Sequence, residues 1–249
     1  EVSKSLVLRG LEVANRSKNI SLTEIAEGQY LLAKVAADEG KTEEATVFAK
    51  ECLGSARLLE LRPNRSLIDC LEGVGILSFL VEKNRTEAET LLREALSIAE
   101  KEYGKEHPVY ADILTSFAQF NKITGDFERA MQGFDSAMDI MGKKVGRGHP
   151  RTFEITLGQA EINFQRGNYN SAVASLLELK ELVGNSVFKK KNIMISVLIQ
   201  LSNNYLMQAK YRKAIHVLVE ARKIVEARGD NQKAYHGTIL QNLALANND

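Results

Sequence analysis

The sequence predicts an all-α protein, a solenoid built of antiparallel helix pairs. The first observation is a repeat period of about 42 residues, which decides the architecture before any local pattern does. The second is that each period contains two apolar stripes of helical spacing, joined by a connection of only a few residues. The third is composition, because abundant Ala, Leu, Glu and Lys with three prolines and no tryptophan favour helices throughout.

Five short segments mark the period. Their closing alanines are separated by 43, 42, 42 and 42 residues. We expect each alanine to begin a second helix, where its small side chain lets two backbones approach closely. The segments read GKTEEA (40–45), KNRTEA (83–88), GDFERA (125–130), GNYNSA (167–172) and AKYRKA (209–214).

The repeat that begins at Pro108 shows how each period divides into two helices. Ile113, Leu114 and Phe117 recur at helical spacing in the first helix, and Gly125 suits the left-handed conformation that ends helices. A second apolar stripe follows after two or three residues, so the two helices must fold back as a hairpin.

Two His-Pro pairs keep the 42-residue spacing, at His107-Pro108 and His149-Pro150. Proline is favoured in the first turn of a helix, because its fixed backbone angle fits there and no amide hydrogen is missed. We therefore interpret both pairs as the points where first helices begin, in preference to a catalytic or metal-binding histidine pair.

The predicted domain organisation is a single repeat array over residues 1–249. Residues 1–20 match the second helix of a preceding repeat, and 232–249 match a first helix that caps the array or begins another repeat. Because the chain begins and ends inside repeats, we expect it to be a fragment of a longer protein. The complete helix-pair repeats are expected at 21–62, 66–106, 108–148, 150–190 and 192–230.

Composition excludes several classes of protein. The formal net charge of +1 predicts no overall attraction to nucleic acid or membranes. The longest apolar run, at residues 73–81, is much shorter than the roughly 20 residues of a membrane-spanning helix. Cys52 and Cys70 are too few for a disulfide framework, so we expect small packing residues in a reducing compartment. The expected location is intracellular and cytoplasmic, with organelle targeting left open for a fragment.

The sequence also argues against catalysis. His107, His149, His216 and His236 lack the spacing of metal ligands, and neither cysteine lies in a nucleophile motif. The Gly-Val-Gly at 73–75 lies inside a predicted helix, without the lysine or strand context of a phosphate-binding loop. We therefore predict no enzymatic activity, no cofactor and no metal.

The repeat resembles the tetratricopeptide repeat family, in the 42-residue form typical of kinesin light chains. The matching residues are Gly125-Asp126-Phe127 with Ala130, Phe134 and Ala137, Gly167-Asn168-Tyr169 with Ala172, Tyr211 with Ala214 and Ala221, and the loops YGKEHP and GRGHP. The resemblance implies a right-handed superhelix of stacked helix pairs, whose first helices line a concave groove. Kinesin light chains carry an Asn-Asn pair in these helices, and only Gln241-Asn242 comes close here, so the family's cargo is not implied.

An open groove suits a bound peptide or partner helix better than a reaction that must exclude water. We predict a protein interaction scaffold that binds a segment of a partner protein, with cargo or adaptor recognition as a narrower hypothesis. The alternative for each groove residue is packing between neighbouring first helices. The predicted groove residues are Tyr30, Lys34, Val74, Ser78, Thr115, Gln119, Lys122, Leu157, Glu161, Phe164, Ile199 and Asn203.

Basic loops at the repeat junctions give a different hypothesis. Stacking would bring these loops side by side as a ridge able to bind nucleic acid or an anionic lipid. An ordinary solvated loop surface is the favoured interpretation, because the chain as a whole is nearly neutral. A third alternative is the regulatory arm of an enzyme outside this fragment; the oligomeric state stays open. The ridge residues are Lys143, Lys144, Arg147, Lys189, Lys190 and Lys191.

Overall fold

The computed structural model of the protein describes residues 22–58, 65–80, 83–186, 191–227 and 233–247. Within these ranges the regular structure is α-helical throughout. The predicted second helix at residues 1–20 lies outside the described residues. The helices are α1 (Leu22–Asp38), α2 (Thr42–Arg57), α3 (Arg65–Leu80), α4 (Arg85–Tyr103), α5 (Pro108–Ile123), α6 (Phe127–Lys144), α7 (Pro150–Gln165), α8 (Tyr169–Asn185), α9 (Lys191–Met207), α10 (Tyr211–Glu226) and α11 (Lys233–Asn247).

Consecutive helices pack against each other as hairpins. Such contacts join α1 to α2, α3 to α4, α7 to α8 and α9 to α10, and each of these hairpins contacts the helix next to it in sequence. First helices also contact one another, α1 with α3, α7 with α9, and α9 with α11. The predicted all-α architecture of antiparallel helix pairs is therefore confirmed.

The chain forms two compact units, Glu1–Phe120 and Asn121–Asp249, which we call unit 1 and unit 2. The boundary falls inside α5. In unit 1 the core contains the fully buried Ile68, Leu71 and Ile113. In unit 2 it contains Phe153 and Leu176, which are equally shielded from solvent. Each unit therefore has an apolar core of its own, as its helix pairs require.

The five alanines that mark the period occupy equivalent places. Each is the fourth residue of a second helix, its side chain has no exposed surface, and its amide donates to the carbonyl of the residue before the helix. Full burial at all five positions agrees with the close helix contact that the sequence predicts there. They are Ala45, Ala88, Ala130, Ala172 and Ala214.

The turn between the two helices of a pair needs one residue with positive φ. Gly40, Gly125 and Gly167 supply it with φ of 75°, 85° and 77°. At the equivalent positions Lys83 and Ala209 adopt φ of 55° and 54° without being glycine. Left-handed backbone costs a residue with a Cβ atom roughly 1–2 kcal/mol, so these two turns are strained relative to the others.

The His-Pro pairs begin first helices, as predicted. Helix α5 starts at Pro108 and helix α7 at Pro150. The Nδ1 atom of His149 accepts a hydrogen bond of 3.2 Å from the amide of Arg151, and His107 Nδ1 accepts one of 3.2 Å from Val109. Both imidazoles therefore satisfy amides that a helix start leaves unpaired, which is a local structural role.

Helix α7 lies very close to α6 at Gly158. A methyl group at this position would stand 2.4 Å from Cζ of Phe134, whose side chain is fully buried. Phe134 cannot withdraw without disturbing the core around it, because protein interiors are close-packed. Gly158 is thus required for its lack of a side chain.

We expect Ala209→Gly to raise the free energy of unfolding by about 0.5–1 kcal/mol, because glycine adopts positive φ without steric cost. The reverse exchange in the same unit, Gly167→Ala, should lower it by about 1–2 kcal/mol. Thermal unfolding followed by circular dichroism measures both. Shifts of the same sign would contradict the strain assigned to Ala209.

We expect Gly158→Ala to lower the free energy of unfolding by about 1–3 kcal/mol through overpacking against Phe134. Gly142→Ala is the matched control, because a methyl group there would have no neighbour within 4 Å. The control should raise stability by about 0.5–1 kcal/mol, since alanine is the better helix former. Chemical denaturation of the two variants gives the comparison, and a stabilised Gly158→Ala would refute the close contact.

Candidate functional site

The predicted groove residues lie on first helices, and each unit is considered by itself. We call the surface of α1, α3 and the part of α5 up to Phe120 the unit 1 face. The unit 2 face comprises α7, α9 and α11 together with the last residues of α5, from Asn121 onward. Contacts of α1 with α3, of α7 with α9 and of α9 with α11 bring these helices together.

The unit 2 face joins several predicted residues. Lys122 donates to the carboxylate of Glu161, and their side chains are 13% and 42% exposed. The Phe164 ring is half-buried, with its centroid 5.6 Å from that of Tyr169. Asn203 Oδ1 accepts a hydrogen bond of 2.6 Å from Nδ2 of Asn242. The face is thus polar and partly organised by its own hydrogen bonds.

Two of the predicted residues on the unit 2 face also contact the apolar core of the unit. Leu157 and Ile199 are half-buried and pack against the apolar core of the unit. They therefore combine the two interpretations that the sequence left open, since each contacts the core and keeps part of its side chain exposed.

A pocket of about 180 Å³ lies between α7 and α9, and we call it the amide pocket. Asn204 is only 1% exposed, and its Nδ2 donates to the carbonyl of Gln200 at 2.8 Å. Asn204 Oδ1 and Gln200 Oε1 are buried without a hydrogen-bond partner. Such acceptors cost about 1–3 kcal/mol each, which a suitable donor would recover. The pocket is lined by Glu161, Phe164, Gln165, Gln200, Asn203 and Asn204.

A larger cavity, of about 250 Å³, lies among α6, α7 and α8. Its hydroxyl groups already donate to backbone carbonyls, Thr152 to Arg147, Thr156 to Thr152 and Ser175 to Ser171. Its Gln159 amide donates to Asp135. Because its donors are engaged within the protein, this cavity offers less to a ligand than the smaller amide pocket does.

The unit 1 face begins with Tyr30, whose ring lies over Gly73. A methyl group on Gly73 would stand 3.2 Å from Cε2 of this ring. Lys34 Nζ lies 5.7 Å from the ring centroid of Tyr30. Thr115 donates its hydroxyl to the Ala111 carbonyl at 2.8 Å, and Gln119 is half-buried. These four predicted residues therefore keep some surface on the face.

Three carboxylates and one guanidinium lie together on the unit 1 face, and we call them the carboxylate cluster. Arg65 Nε lies 2.7 Å from Asp69 Oδ1, and Arg65 Nη2 lies 3.7 Å from Asp112 Oδ2. Glu72 accepts a hydrogen bond from the hydroxyl of Ser116. One cation thus serves several partly buried acids.

Burial raises the pKa of Asp69, against the opposing attraction of Arg65. Burial also raises the pKa of Glu72, although the hydrogen bond from Ser116 lowers it, and repulsion from Asp69 and Asp112 adds to the increase. The sequence analysis missed Asp69 and Glu72. The four-residue spacing of Arg65 and Asp69 on one helix was the available indication of a local ion pair.

The structure corrects two predicted groove residues. Val74 is 2% exposed and Ser78 has no exposed surface, so both lie in the interior of unit 1. The reason is the single 43-residue interval in the repeat. Gly73, 43 residues after Tyr30 and 42 before Thr115, occupies the equivalent position, and Leu77 is likewise equivalent to Lys34.

The predicted basic ridge is described only in part. Lys143 and Lys144 are exposed in the last turn of α6, and Arg147 Nη1 lies 3.5 Å from Glu178 Oε1. Lys189 and Lys190 lie outside the described residues. Lys191 begins α9, but its side chain is not described. The ridge therefore stays a prediction.

Cys52 and Cys70 are buried, as expected of packing residues, with 0% and 1% exposure. The structure adds what the sequence analysis did not predict, a disulfide between them that joins α2 to α3. The two residues are 18 positions apart and belong to no recognisable motif. The pairing depends on how adjacent repeats pack, which spacing alone does not reveal.

Two properties of the described residues bear on the class of protein. No group of three or more His, Cys, Asp or Glu side chains in the described ranges could hold a metal ion. Each helix in the same ranges is too short or too polar to cross a membrane. Burial, together with repulsion between neighbouring acids, raises the pKa of Asp69 and of Glu72 on the unit 1 face.

Comparison with known proteins bears out the family resemblance. Residues 71–143 match the family model of the tetratricopeptide repeat. BtubC (BKLC) from P. vanneervenii is 19% identical, with 92% of each chain covered and a TM-score of 0.73. A Podosopora anserina chain described as kinesin light chain nearly identical TPR-like repeats is 17% identical, with 85% of this chain and 99% of that chain covered and a TM-score of 0.63. PilF of Pseudomonas aeruginosa is 14% identical, with 91% and 89% covered and a TM-score of 0.57. No curated protein matches.

The chain has the fold of tetratricopeptide repeat proteins, and residues 71–143 match the model of that family. The match to the family model includes α4 and α5 whole, and the fold likeness extends over most of both units. At these identities the solved structures establish the shared fold alone.

We expect Glu72→Gln to raise the melting temperature near pH 7 and to matter less near pH 4. Because the pKa of Glu72 is raised in the folded protein, its stabilising contribution is complete below the ordinary value of 4.5 and is lost as pH rises through the raised value. Glutamine does not ionise, so the variant avoids this loss of stability. Its side-chain oxygen can still accept the hydrogen bond from the hydroxyl of Ser116. Melting curves between pH 4 and pH 8 measure the effect.

The matched control is Glu51→Gln, which changes an exposed glutamate on α2. Its melting temperature should follow that of the unchanged protein across the same pH range. If Glu72→Gln were less stable than the unchanged protein at pH 7, the buried charge of Glu72 would be favourable and the prediction would be wrong.

Proposed function

We propose that the protein is an interaction scaffold without catalytic activity, which binds a segment of a partner protein along its first-helix faces. The anchor on the unit 2 face is the amide pocket. The observation that carries the proposal is the pair of buried acceptors there, Asn204 Oδ1 and Gln200 Oε1, which have no hydrogen-bond partner. A buried acceptor without a partner costs stability, so two of them beside a pocket favour a ligand that supplies the donors.

The chemistry of the amide pocket supports a polypeptide as the ligand. A backbone amide, an asparagine or glutamine side chain, or an arginine or lysine side chain can each donate to an amide oxygen. The Phe164 ring offers apolar contact beside these acceptors, and the half-exposed Glu161 carboxylate favours a donor over an acceptor. A few placed polar groups within an apolar setting are typical of a specific binding site.

Each face has further predicted residues that would contact a partner, and each face is considered by itself. On the unit 2 face, Lys122, Leu157, Ile199 and Asn203 would flank the bound segment. On the unit 1 face, Tyr30, Lys34, Thr115 and Gln119 would contact a partner near the carboxylate cluster. The partly exposed surface of these side chains supports this assignment.

Cargo or adaptor recognition in the cytoplasm is the narrower role that we propose. Its support is the fold shared with a Podosopora anserina chain described as kinesin light chain repeats. The family resemblance also supports a protein or peptide partner over a small molecule. We propose the amide pocket, with its unpaired acceptors, as the point where such a partner is anchored.

To test the proposal, a peptide that binds the unchanged protein is first selected from a random display library. The selected peptide is then titrated into variants of the protein. We expect Phe164→Ala combined with Gln200→Ala to weaken binding of the selected peptide by at least about tenfold, because a residue central to an interface contributes 1.4 kcal/mol or more. Isothermal titration calorimetry gives the dissociation constants.

Leu177→Ala combined with Glu181→Ala is the control, since both residues are exposed on the second helix α8. This variant should bind the selected peptide as the unchanged protein does. Circular dichroism confirms folding of both variants. Unaltered affinity in the pocket variant, or loss of affinity only in the control, would place the binding surface elsewhere and overturn the proposal.

A further inference from the structure

The disulfide between Cys52 and Cys70 connects two repeats. Cys52 lies on α2, the second helix of one pair, and Cys70 lies on α3, the first helix of the next pair. Their Cα atoms are 5.7 Å apart, a separation typical of disulfides. The covalent bond therefore reinforces a contact between adjacent repeats, whose buried apolar residues belong to one core cluster.

We propose that Cys52 and Cys70 form a reversible redox link, which fixes α2 against α3 when oxidised and lets the two helices separate when reduced. The chain has two cysteines in all, so its thiols can pair within one molecule in a single way. A reducing cytoplasm breaks accessible disulfides, and a cysteine pair that forms one there is most often redox-responsive.

The chemistry of the link is thiol–disulfide exchange with a low-molecular-weight disulfide of the glutathione type. One cysteine thiolate attacks the external disulfide, forms a mixed disulfide and releases one thiol. The second cysteine then attacks the mixed disulfide and releases the other thiol. The protein thiols are oxidised, the external disulfide is reduced to two thiols, and a dithiol reductant reverses both steps.

Burial controls how fast the link responds. Both side chains are shielded from solvent, and their neighbours in the core include Ala49, Ala56 and Ile68. An external reagent reaches the sulfur atoms only when α2 and α3 open locally. The link thus reports on, and once formed restrains, the opening of this repeat junction.

The link also bears on the carboxylate cluster. Cys70 directly follows Asp69 in α3, and Asp69 is ion-paired with Arg65. Arg65 also reaches Asp112 on α5. Arg65, Asp69 and Cys70 lie within two turns of α3. Release of α3 from α2 would therefore loosen the helix that supports the carboxylate cluster. The redox state would therefore alter the unit 1 face.

The test uses the full chain, reduced with dithiothreitol or oxidised with oxidised glutathione. When the protein is denatured in the presence of N-ethylmaleimide, which labels free thiols, the reduced chain should gain two labels and the oxidised chain none. Hydrogen exchange should be at least about tenfold faster at residues 42–57 and 65–80 in the reduced chain, since a native disulfide contributes enough stability for such a change.

Residues 150–165 and 191–207 of unit 2 are the internal reference, and their exchange should be the same in both states. The Cys52→Ala variant should exchange like the reduced chain whichever reagent is present. Two free thiols after treatment with oxidised glutathione would exclude the link. Equal hydrogen exchange at residues 42–57 and 65–80 in the reduced and oxidised chains would exclude control of the junction by the link.

Discussion

The contact of two helices at a fully buried alanine is the interaction on which each repeat depends. Each of these alanines is the fourth residue of a second helix and has no exposed surface. They are Ala45, Ala88, Ala130, Ala172 and Ala214. A larger side chain would force the two helices of a pair apart, and the buried leucines and isoleucines of the core would lose contacts.

Much of the fold could be predicted from the sequence, because the period repeats a physical requirement. The alanines, the positive-φ turns and the proline starts each specify one local geometry, and they agree with one another. The face residues were harder to predict. Val74 and Ser78 were misplaced because one repeat is a residue longer, and Asp69 and Glu72 were missed because buried acids look like surface acids in a sequence.

The two faces contain polar groups that a purely structural array would replace with apolar ones. Asn204 retains an unpaired oxygen, and the carboxylate cluster holds three acids around one guanidinium. Both arrangements cost stability relative to well-packed hydrophobic side chains. Sequence patterns could not reveal them, because each depends on side chains from two or three helices meeting in space. Such local weakness is common at sites where stability is exchanged for recognition.

The side-chain bonds between repeats join residues that are close along the chain. Arg57 and Glu94 are 37 residues apart, Lys122 and Glu161 are 39 apart, and Ser116 and Glu72 are 44 apart. Chains whose contacts are this local lose little loop entropy when the contacts form, and they fold fast for their length. A helix pair can therefore form early and serve as a template for its neighbour, so folding can start at more than one place and spread in both directions.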